Sequence, residues 1–206
     1  MKKDGSKTDI NKDKKDQRVV RTRKQVDAAF VDLLHRRAYG NIRVSDITKK
    51  AGVGRATFYA HYSSKDDLLR SQFNRIVVPM LVPRRDQPCP LDATALFAHL
   101  QSAPRIYKAL IAGPEAGNSP RIMRQCFEAC LQRAIEMQEG HRLPRSAESS
   151  IEQAIITRFL ASVLLAVVEC GVEAAAQQSP QECQAIFARL AGGALAAARI
   201  PASETS

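Results

Sequence analysis

Proline divides the chain into two unequal parts. No proline occurs before Pro79, and all ten lie from that residue onward, four of them within Pro79–Pro90. Proline lacks a backbone N–H and clashes with the preceding helical turn, so it breaks helices. The proline-free part can therefore form long uninterrupted helices, and Pro79–Pro90 predicts a boundary between two domains.

Charge divides the chain at the same place. Residues 1–78 carry 19 Lys and Arg against 9 Asp and Glu, whereas the remaining residues carry 12 of each. The whole formal net charge of +10 thus lies in the first part, which indicates a polyanionic partner there. We predict a disordered basic arm at 1–17, a basic domain at 18–78 and a neutral domain at 79–206.

Apolar residues recur at helical spacing along most of the chain. Val26, Phe30, Leu33 and Leu34 share one stripe, and Gly40 is expected to stop that first helix. Beyond the boundary, Val, Ile and aromatic residues never alternate with polar ones over the length of a strand. The predicted fold is all-α, with the larger helical domain at the C-terminus. Its helices are expected near residues 92–102, 105–112, 120–139, 147–177 and 180–200.

Several function classes are disfavoured. The most apolar run, Phe159–Val168, is about half the roughly 20 residues of a membrane span, so we interpret it as a buried helix and expect no membrane partner. The N-terminus has no apolar core of a secretory signal, and the five cysteines form no C-x-x-C pair, which favours the cytoplasm. Without a Gly-rich phosphate loop, a Ser/His/Asp arrangement or paired carboxylates, neither an enzyme nor a cofactor is expected.

The segment Val44–Leu69 has the spacing of a helix-turn-helix. Ser45 is the predicted N-cap of its first helix, and Gly52 supplies the turn. Arg55–Tyr62 is the predicted second helix. Such a helix can place its first side chains and its backbone against DNA.

The helix expected over residues 64–78 follows directly. Ser63 or Ser64 is its predicted cap, because Ser64 and Asp67 stand at the spacing of a capping box. Pro79 is expected to end this helix and to lie near a hinge.

The second helix of the motif carries side chains suited to DNA. Arg55 can bond guanine bidentately, Thr57 offers a hydroxyl and a methyl group, and Ala56 is small enough to let the backbone approach. The residues that follow at spacings suited to the flanking phosphates are Tyr59, His61 and Lys65. The alternatives are a core position for Tyr59 and ordinary surface positions for Arg55, His61 and Lys65.

Eight residues of this run stand at a characteristic spacing: Ile47, Ala51, Gly52, Val53, Thr57, Tyr59, Lys65 and Leu68. In these positions the chain resembles the DNA-binding domain of TetR-type (tetracycline-repressor-like) transcriptional regulators, over about residues 20–75. Two departures stand out. Thr48 replaces the usual Ala, and Gly54 replaces the Ser that usually caps the recognition helix.

The resemblance implies a homodimeric repressor that reads a pseudo-palindromic DNA operator, because one helix-turn-helix reads only one half-site. It implies base-edge contacts from Arg55, Ala56 and Thr57. It implies phosphate contacts from Ser45, Tyr59, His61 and Lys65. It also implies that the second domain releases the operator when it binds a small-molecule effector.

The helix at 147–177 is apolar on nearly every side, so it must be covered on more than one side. The last helix presents a surface of small residues that permits close approach. Together they resemble the two helices that each subunit of a TetR-type dimer contributes to a four-helix interface; the alternative is the core of a monomer. The residues expected in the interface are Phe159, Val163, Ala166, Ile186, Leu190, Gly193, Ala194 and Ala197.

The helices between residues 92 and 139 would surround a cavity in such a fold. Because no charged residue stands out as an anchor, we expect an apolar or aromatic small molecule. The candidate lining residues are Phe97, Leu100, Tyr107, Leu110, Met123, Phe127 and Phe159. The alternative for each is a plain core position.

Cys126 and Cys130 stand one helical turn apart, which leaves a second function open. They would make the chain a redox- or metal-responsive regulator. A closed zinc site needs four ligands, however, and no metal is expected. The alternative is a pair of buried structural cysteines.

Overall fold

The computed structural model describes residues 5–138, 147–173 and 178–198. The helices are α1 (Gly5–Leu34), α2 (Val44–Ala51), α3 (Arg55–Tyr59), α4 (Lys65–Ile76), α5 (Thr94–Ser102), α6 (Pro104–Ile111), α7 (Ser119–Met137), α8 (Ala147–Glu173) and α9 (Pro180–Ala197). The connections include 3₁₀ turns at Tyr39–Asn41, Val78–Met80 and Pro114–Ala116, and an antiparallel pair of two-residue strands, β1 (Val82–Pro83) and β2 (Leu91–Asp92). The prediction of an all-α fold is confirmed, with this short ladder as the addition.

Helix α1 is longer at its N-terminus and shorter at its C-terminus than predicted. It begins at Gly5, so the disordered arm predicted for residues 1–17 is wrong from Gly5 onward; residues 1–4 lie outside the described residues. No proline or glycine interrupts residues 6–34, and extending a helix that is already nucleated costs little free energy.

Gly40 does not stop α1, which ends at Leu34. It lies in the 3₁₀ turn Tyr39–Asn41, which packs against the turn that contains Glu115. A Cβ added to Gly40 would stand 2.5 Å from the Glu115 carbonyl oxygen. The glycine therefore serves a close approach of two backbones rather than a helix end.

Helix α2 begins two residues earlier than predicted, because its N-cap is Arg43 and not Ser45. Helix α2 starts after Arg43, whose backbone N–H donates a 2.9 Å hydrogen bond to the Asp46 carboxylate, so the predicted cap Ser45 lies inside the helix. Gly52, at φ +66°, ends α2 in the left-handed conformation, as predicted. Helix α3 ends at Tyr59 instead of Tyr62, because the chain turns there and carries the Tyr62 side chain inward.

Helix α4 is capped by Ser64, one of the two predicted candidates. The Ser64 hydroxyl accepts a 3.0 Å hydrogen bond from the Asp67 backbone N–H, and the Asp67 carboxylate accepts one of 2.8 Å from the Ser63 N–H. The helix ends at Ile76, and Pro79 lies in the 3₁₀ turn that follows. The predicted domain boundary falls on this turn and the β1–β2 ladder; the division into domains remains a prediction.

The buried side chains form one continuous cluster from Val26 in α1 to Leu195 in α9. Helix α4 joins the two ends of this cluster, because Phe73 packs edge-on against Phe127 of α7 with ring centroids 5.5 Å apart. Helix α8 packs between α7 and α9. A shift of α4 relative to the C-terminal helices would therefore have to break packed contacts.

Helix α8 is buried on one face and open on the other. Leu160, Leu164 and Val168 are inaccessible to solvent, whereas Phe159 is 52% exposed. The predicted burial of Phe159–Val168 is therefore wrong on the face that carries Phe159, Ser162 and Ala166. Among the described residues, Ile151–Glu173 is long and apolar enough to cross a membrane by length and composition, a test that core helices of soluble proteins also pass.

Candidate nucleic-acid interface

One buried aromatic side chain sets the orientation of α3. The helix has five residues, and Phe58 is completely buried, with its ring centroid 5.7 Å from that of Tyr62. Burial of Phe58 leaves Arg55, Ala56 and Thr57 exposed, as the predicted base contacts require. Tyr59 is 54% exposed, so the core alternative for this residue is wrong.

The two departures from the usual pattern are accommodated locally. Thr48 is buried, and its hydroxyl donates a 3.2 Å hydrogen bond to the Ser45 carbonyl oxygen, so the extra polar atom has a partner. Ser45 itself is half-buried. Gly54 caps α3 without a side-chain hydrogen bond, and a glycine cap is weaker than a serine cap by a few tenths of a kcal/mol.

Lys65 is engaged inside the protein. Its ammonium group donates hydrogen bonds of 2.7 Å to the Tyr39 carbonyl oxygen and 2.8 Å to the Ile42 carbonyl oxygen, and it stands 4.0 Å from the Tyr39 ring centroid. Burial lowers the pKa of Lys65. Two of its three N–H groups thus hold the chain between α1 and α2. His61 is half-buried beside Tyr62.

Asp66 joins three segments around the motif. One carboxylate oxygen accepts a 2.5 Å hydrogen bond from the Tyr39 hydroxyl, and the other accepts one of 3.2 Å from the Asn118 side-chain amide just before α7. Burial and then the Asp66 carboxylate raise the pKa of Tyr39, so its hydroxyl stays a donor. The N-terminal end of α4 is thereby tied to the turn after α1 and to the C-terminal helices.

A second polar network crosses the motif through α1. The buried Asp27 carboxylate accepts a 3.0 Å hydrogen bond from the Tyr62 hydroxyl and lies 2.8 Å from an Arg75 guanidinium nitrogen. The same Arg75 nitrogen donates a 2.7 Å hydrogen bond to the Gln72 side chain. The Arg23 guanidinium lies over the Tyr62 ring, 5.8 Å from its centroid. The turn after α3 is therefore linked to both α1 and α4.

The roles of Asp27 and Asp66 were not predicted from the sequence. Asp27 carried a usable signal, because it stands beside Val26 in the apolar stripe of α1, where an acidic residue needs a partner. Asp66 carried none, since its partners lie 27 and 52 residues away in the chain.

Residues 26–71 match the family model described as bacterial regulatory proteins, tetR family. The match runs from the apolar stripe of α1 to α4, the elements that build the interface. Residues 26–71 are therefore similar to the tetR family of bacterial regulatory proteins. The chain is also 48% identical over 61 residues to the HTH-type transcriptional regulator YxbF of Bacillus subtilis (strain 168). That match covers 29% of the chain and spans only 16% of the length of YxbF.

Two solved structures share the fold of this chain. The dihydroxyacetone kinase operon activator DhaS is 21% identical, with a TM-score of 0.51 over 86% of this chain and 96% of DhaS. A TetR transcriptional regulator from Rhodococcus sp. RHA1 is 16% identical, with a TM-score of 0.50 over 88% of this chain and 98% of that one. Both alignments extend beyond the helix-turn-helix into the C-terminal helices.

The predicted ligand-lining residues separate into two groups. Tyr107 and Leu110 line a cavity of about 190 Å³ among α1, α4, α5 and α6. Four of the others, Phe97, Leu100, Met123 and Phe127, lie in the buried core and do not line this cavity, and Phe159 lies on the open face of α8.

The predicted interface residues lie on accessible faces of α8 and α9. All are exposed or half-buried in the single chain: Phe159, Val163, Ala166, Ile186, Leu190, Gly193, Ala194 and Ala197. The residues predicted for the interface did not include Ile151 and Ile155, which are 64% and 63% exposed and continue the stripe from Phe159. Their spacing of four residues on an apolar helix was the signal.

Cys126 and Cys130 lie within α7 as unpaired thiols, buried and half-buried respectively. Burial raises the pKa of Cys126 to about 11 and also raises the pKa of Cys130. Because the thiolate is the reactive and metal-binding form, this environment disfavours both chemistries. Across residues 5–138, 147–173 and 178–198, no three His, Cys, Asp or Glu side chains cluster as metal ligands would.

Proposed function

We propose that this chain is a TetR-type, sequence-specific DNA-binding transcriptional regulator that acts as a homodimeric repressor. The observation that carries the proposal is the orientation of α3. Buried Phe58 locks the helix with Arg55, Ala56, Thr57 and Tyr59 exposed. This is the arrangement a recognition helix needs in a major groove.

Each exposed group has a distinct role in the proposal. Arg55, Ala56 and Thr57 contact base edges and supply specificity. Tyr59 and His61 contact phosphates and fix the register, as does the accessible part of Ser45. Lys65 mainly holds the turn between α1 and α2, and its remaining N–H reaches a phosphate.

The open face of α8 and α9 supports a homodimer. Ile151, Ile155, Phe159 and Leu190 are each about half exposed or more. A contiguous apolar face of this kind on a soluble protein indicates a protein–protein interface. A two-fold axis through it would pair two recognition helices with the two halves of a pseudo-palindromic operator.

Release from the operator is proposed to follow binding of a small apolar or aromatic molecule. The effector must bind one orientation of the DNA-binding helices more tightly than the other. Helix α4 is suited to transmit the change, because it packs on α7 through Phe73 and carries Asp66 and Arg75 at its polar contacts. The redox- or metal-responsive alternative gains no support from the raised thiol pKa values.

Selection from a random duplex library tests the proposal. The full-length protein should enrich one pseudo-palindromic sequence with half-sites about 34–36 Å apart or a multiple of that distance. Fluorescence anisotropy should then show that the selected duplex binds about a thousandfold or more tightly than a scrambled duplex at the same salt concentration.

Arg55→Ala is the matched variant, and selection with it should lose preference at one base position in each half-site. Salt-dependent binding of equal strength to selected and scrambled duplexes would contradict a sequence-specific regulator.

A further inference from the structure

The cavity of about 190 Å³ lies where the DNA-binding helices meet the C-terminal helices. Helix α1 contributes Phe30, Val31 and Leu34 to its wall, and α5 and α6 close the opposite side. The contribution of α4 is Leu69, Gln72, Phe73 and Ile76, followed by Val77 just after the helix. Only part of the wall therefore comes from the segment 92–139 in which sequence reasoning expected a ligand cavity.

We propose that this cavity binds a single-ring aromatic molecule carrying one hydroxyl or carbonyl group, and that its occupant is the effector. The second half of this inference rests on the proposed function. The size supports the class, because an apolar cavity of about 150 Å³ accepts benzene, whereas drug-sized ligands occupy about 300 Å³ or more. The wall is mostly aliphatic and aromatic side chains, which favours an apolar ring.

Three polar side chains line the wall, Gln72, His99 and Tyr107. The two that are buried, Gln72 and Tyr107, account for the single polar group. Gln72 is only 7% exposed. Its side-chain carbonyl oxygen accepts a hydrogen bond from Arg75, and its amide nitrogen donates no hydrogen bond to the described residues. Tyr107 is 3% exposed, and burial is the cause that raises the pKa of its hydroxyl. A ligand hydroxyl or carbonyl would accept from either donor, at little cost to the apolar remainder.

A chain of polar contacts links the same wall to the turn that follows the recognition helix. Gln72 bonds Arg75, Arg75 pairs with Asp27 of α1, and Asp27 accepts from Tyr62 at the turn after α3. A molecule that packs against Gln72, between α1 and α6, contacts both the DNA-binding helices and the C-terminal helices. It therefore binds one relative placement of these helices better than another, which is the requirement for an effector.

Binding of p-cresol to the full-length protein is the experiment, measured by isothermal titration calorimetry. Val31→Phe fills the cavity from α1 and should weaken p-cresol binding about tenfold or more. Val82→Phe is the matched control, because Val82 is half exposed in β1 and outside the cavity wall, and it should leave the affinity unchanged. The two-ring analogue 2-naphthol should bind the wild type about tenfold more weakly than p-cresol.

A second measurement does not depend on the folding of a variant. In the wild type, p-cresol ring protons should give intermolecular NOEs to the methyl groups of Val31, Leu34, Ile106 and Leu110. Absence of p-cresol binding, NOEs elsewhere, or equal affinity in Val31→Phe overturns the site.

The effector role is judged separately from DNA recognition. On the selected duplex, saturating p-cresol should change wild-type DNA affinity about fivefold or more, and the change should be lost in Val31→Phe. Binding at these methyl groups with no change in DNA affinity overturns the effector role alone. Failure to select any duplex overturns the proposed function, and the NOEs still decide the site.

Discussion

The hydroxyl of Tyr62 donates a 3.0 Å hydrogen bond to the carboxylate of Asp27, 35 residues earlier in the chain. Both side chains are almost completely buried, at 4% and 7% exposure. Arg75 of α4 pairs with the same carboxylate, so the charge of Asp27 is compensated. The position of the recognition helix therefore depends on a polar contact across the core as well as on the packing of Phe58.

Tyr62→Phe should lower the free energy of unfolding by about 1 kcal/mol, because it removes one hydrogen bond while Asp27 keeps its arginine partner. Urea denaturation followed by circular dichroism measures this. Tyr59→Phe is the control, since Tyr59 is 54% exposed, and it should leave the midpoint unchanged. Equal losses in the two variants would contradict a specific role for the Tyr62–Asp27 bond.

Tyr62 should also contribute to the loss of stability in alkali. Burial, followed by the charge of Asp27, raises the pKa of Tyr62 from 10.0 to about 12. Above pH 10 the unfolded tyrosine loses its proton first, so the native state binds more protons and stability falls as pH rises. The difference between wild type and Tyr62→Phe should shrink between pH 10 and about 12 in denaturation series at stepped pH. A stability difference between wild type and Tyr62→Phe that stays constant over this pH range would contradict the raised pKa of Tyr62.

Lys65→Met should destabilise the protein by about 1–3 kcal/mol, because the Tyr39 and Ile42 carbonyl oxygens lose their ammonium donor. Lys24→Met, at an exposed position on α1, is the stability control and should have little effect. If Lys65 also contacts a phosphate, the slope of log K against log salt concentration should fall by about 0.9. Unchanged stability with a reduced slope would show that the phosphate contact, not the turn, is the main role of Lys65.

Gly40→Ala should destabilise the contact between the turn after α1 and the turn before α7. The added Cβ would meet the Glu115 carbonyl oxygen at 2.5 Å, and such overpacking costs about 1–3 kcal/mol. Gly171→Ala is the control, because Gly171 lies inside α8 and its Cβ would meet only the Cys183 sulfur at 3.7 Å. Thermal unfolding of both variants compares them, and a similar melting temperature for the two would exclude a steric role for Gly40.

Phe159→Arg should convert a homodimer to a monomer, because it places a charge in the centre of the open α8 face. Analytical ultracentrifugation measures the mass of the wild type and the variant. Val82→Arg alters a side chain of similar exposure outside this face and should leave the mass unchanged. A wild-type monomer at micromolar concentration, or a dimer that survives Phe159→Arg, would refute the interface on α8 and α9.

Features that depend on neighbouring residues were predicted well. Gly52 ends α2 and Ser64 caps α4 as expected, because a left-handed glycine and a capping box are decided within a few residues. Ser45 was predicted wrongly as a cap because Asp46, one residue later, offers its carboxylate to the Arg43 N–H. The end of a helix depends on which of several neighbouring residues makes the capping hydrogen bond, and composition and spacing do not resolve this choice.

By itself, the sequence determined the all-α fold and the position of the helix-turn-helix, because helical periodicity and turn residues act over short stretches of chain. It indicated that α8 and α9 carry apolar residues on accessible faces, but the prediction left out Ile151 and Ile155. The tertiary structure decided the inward role of Lys65, the pairing of Tyr62 with Asp27 and the cavity shared by α1, α4, α5 and α6. These depend on how closely residues distant in the chain approach one another, and only the packing of the helices sets those distances.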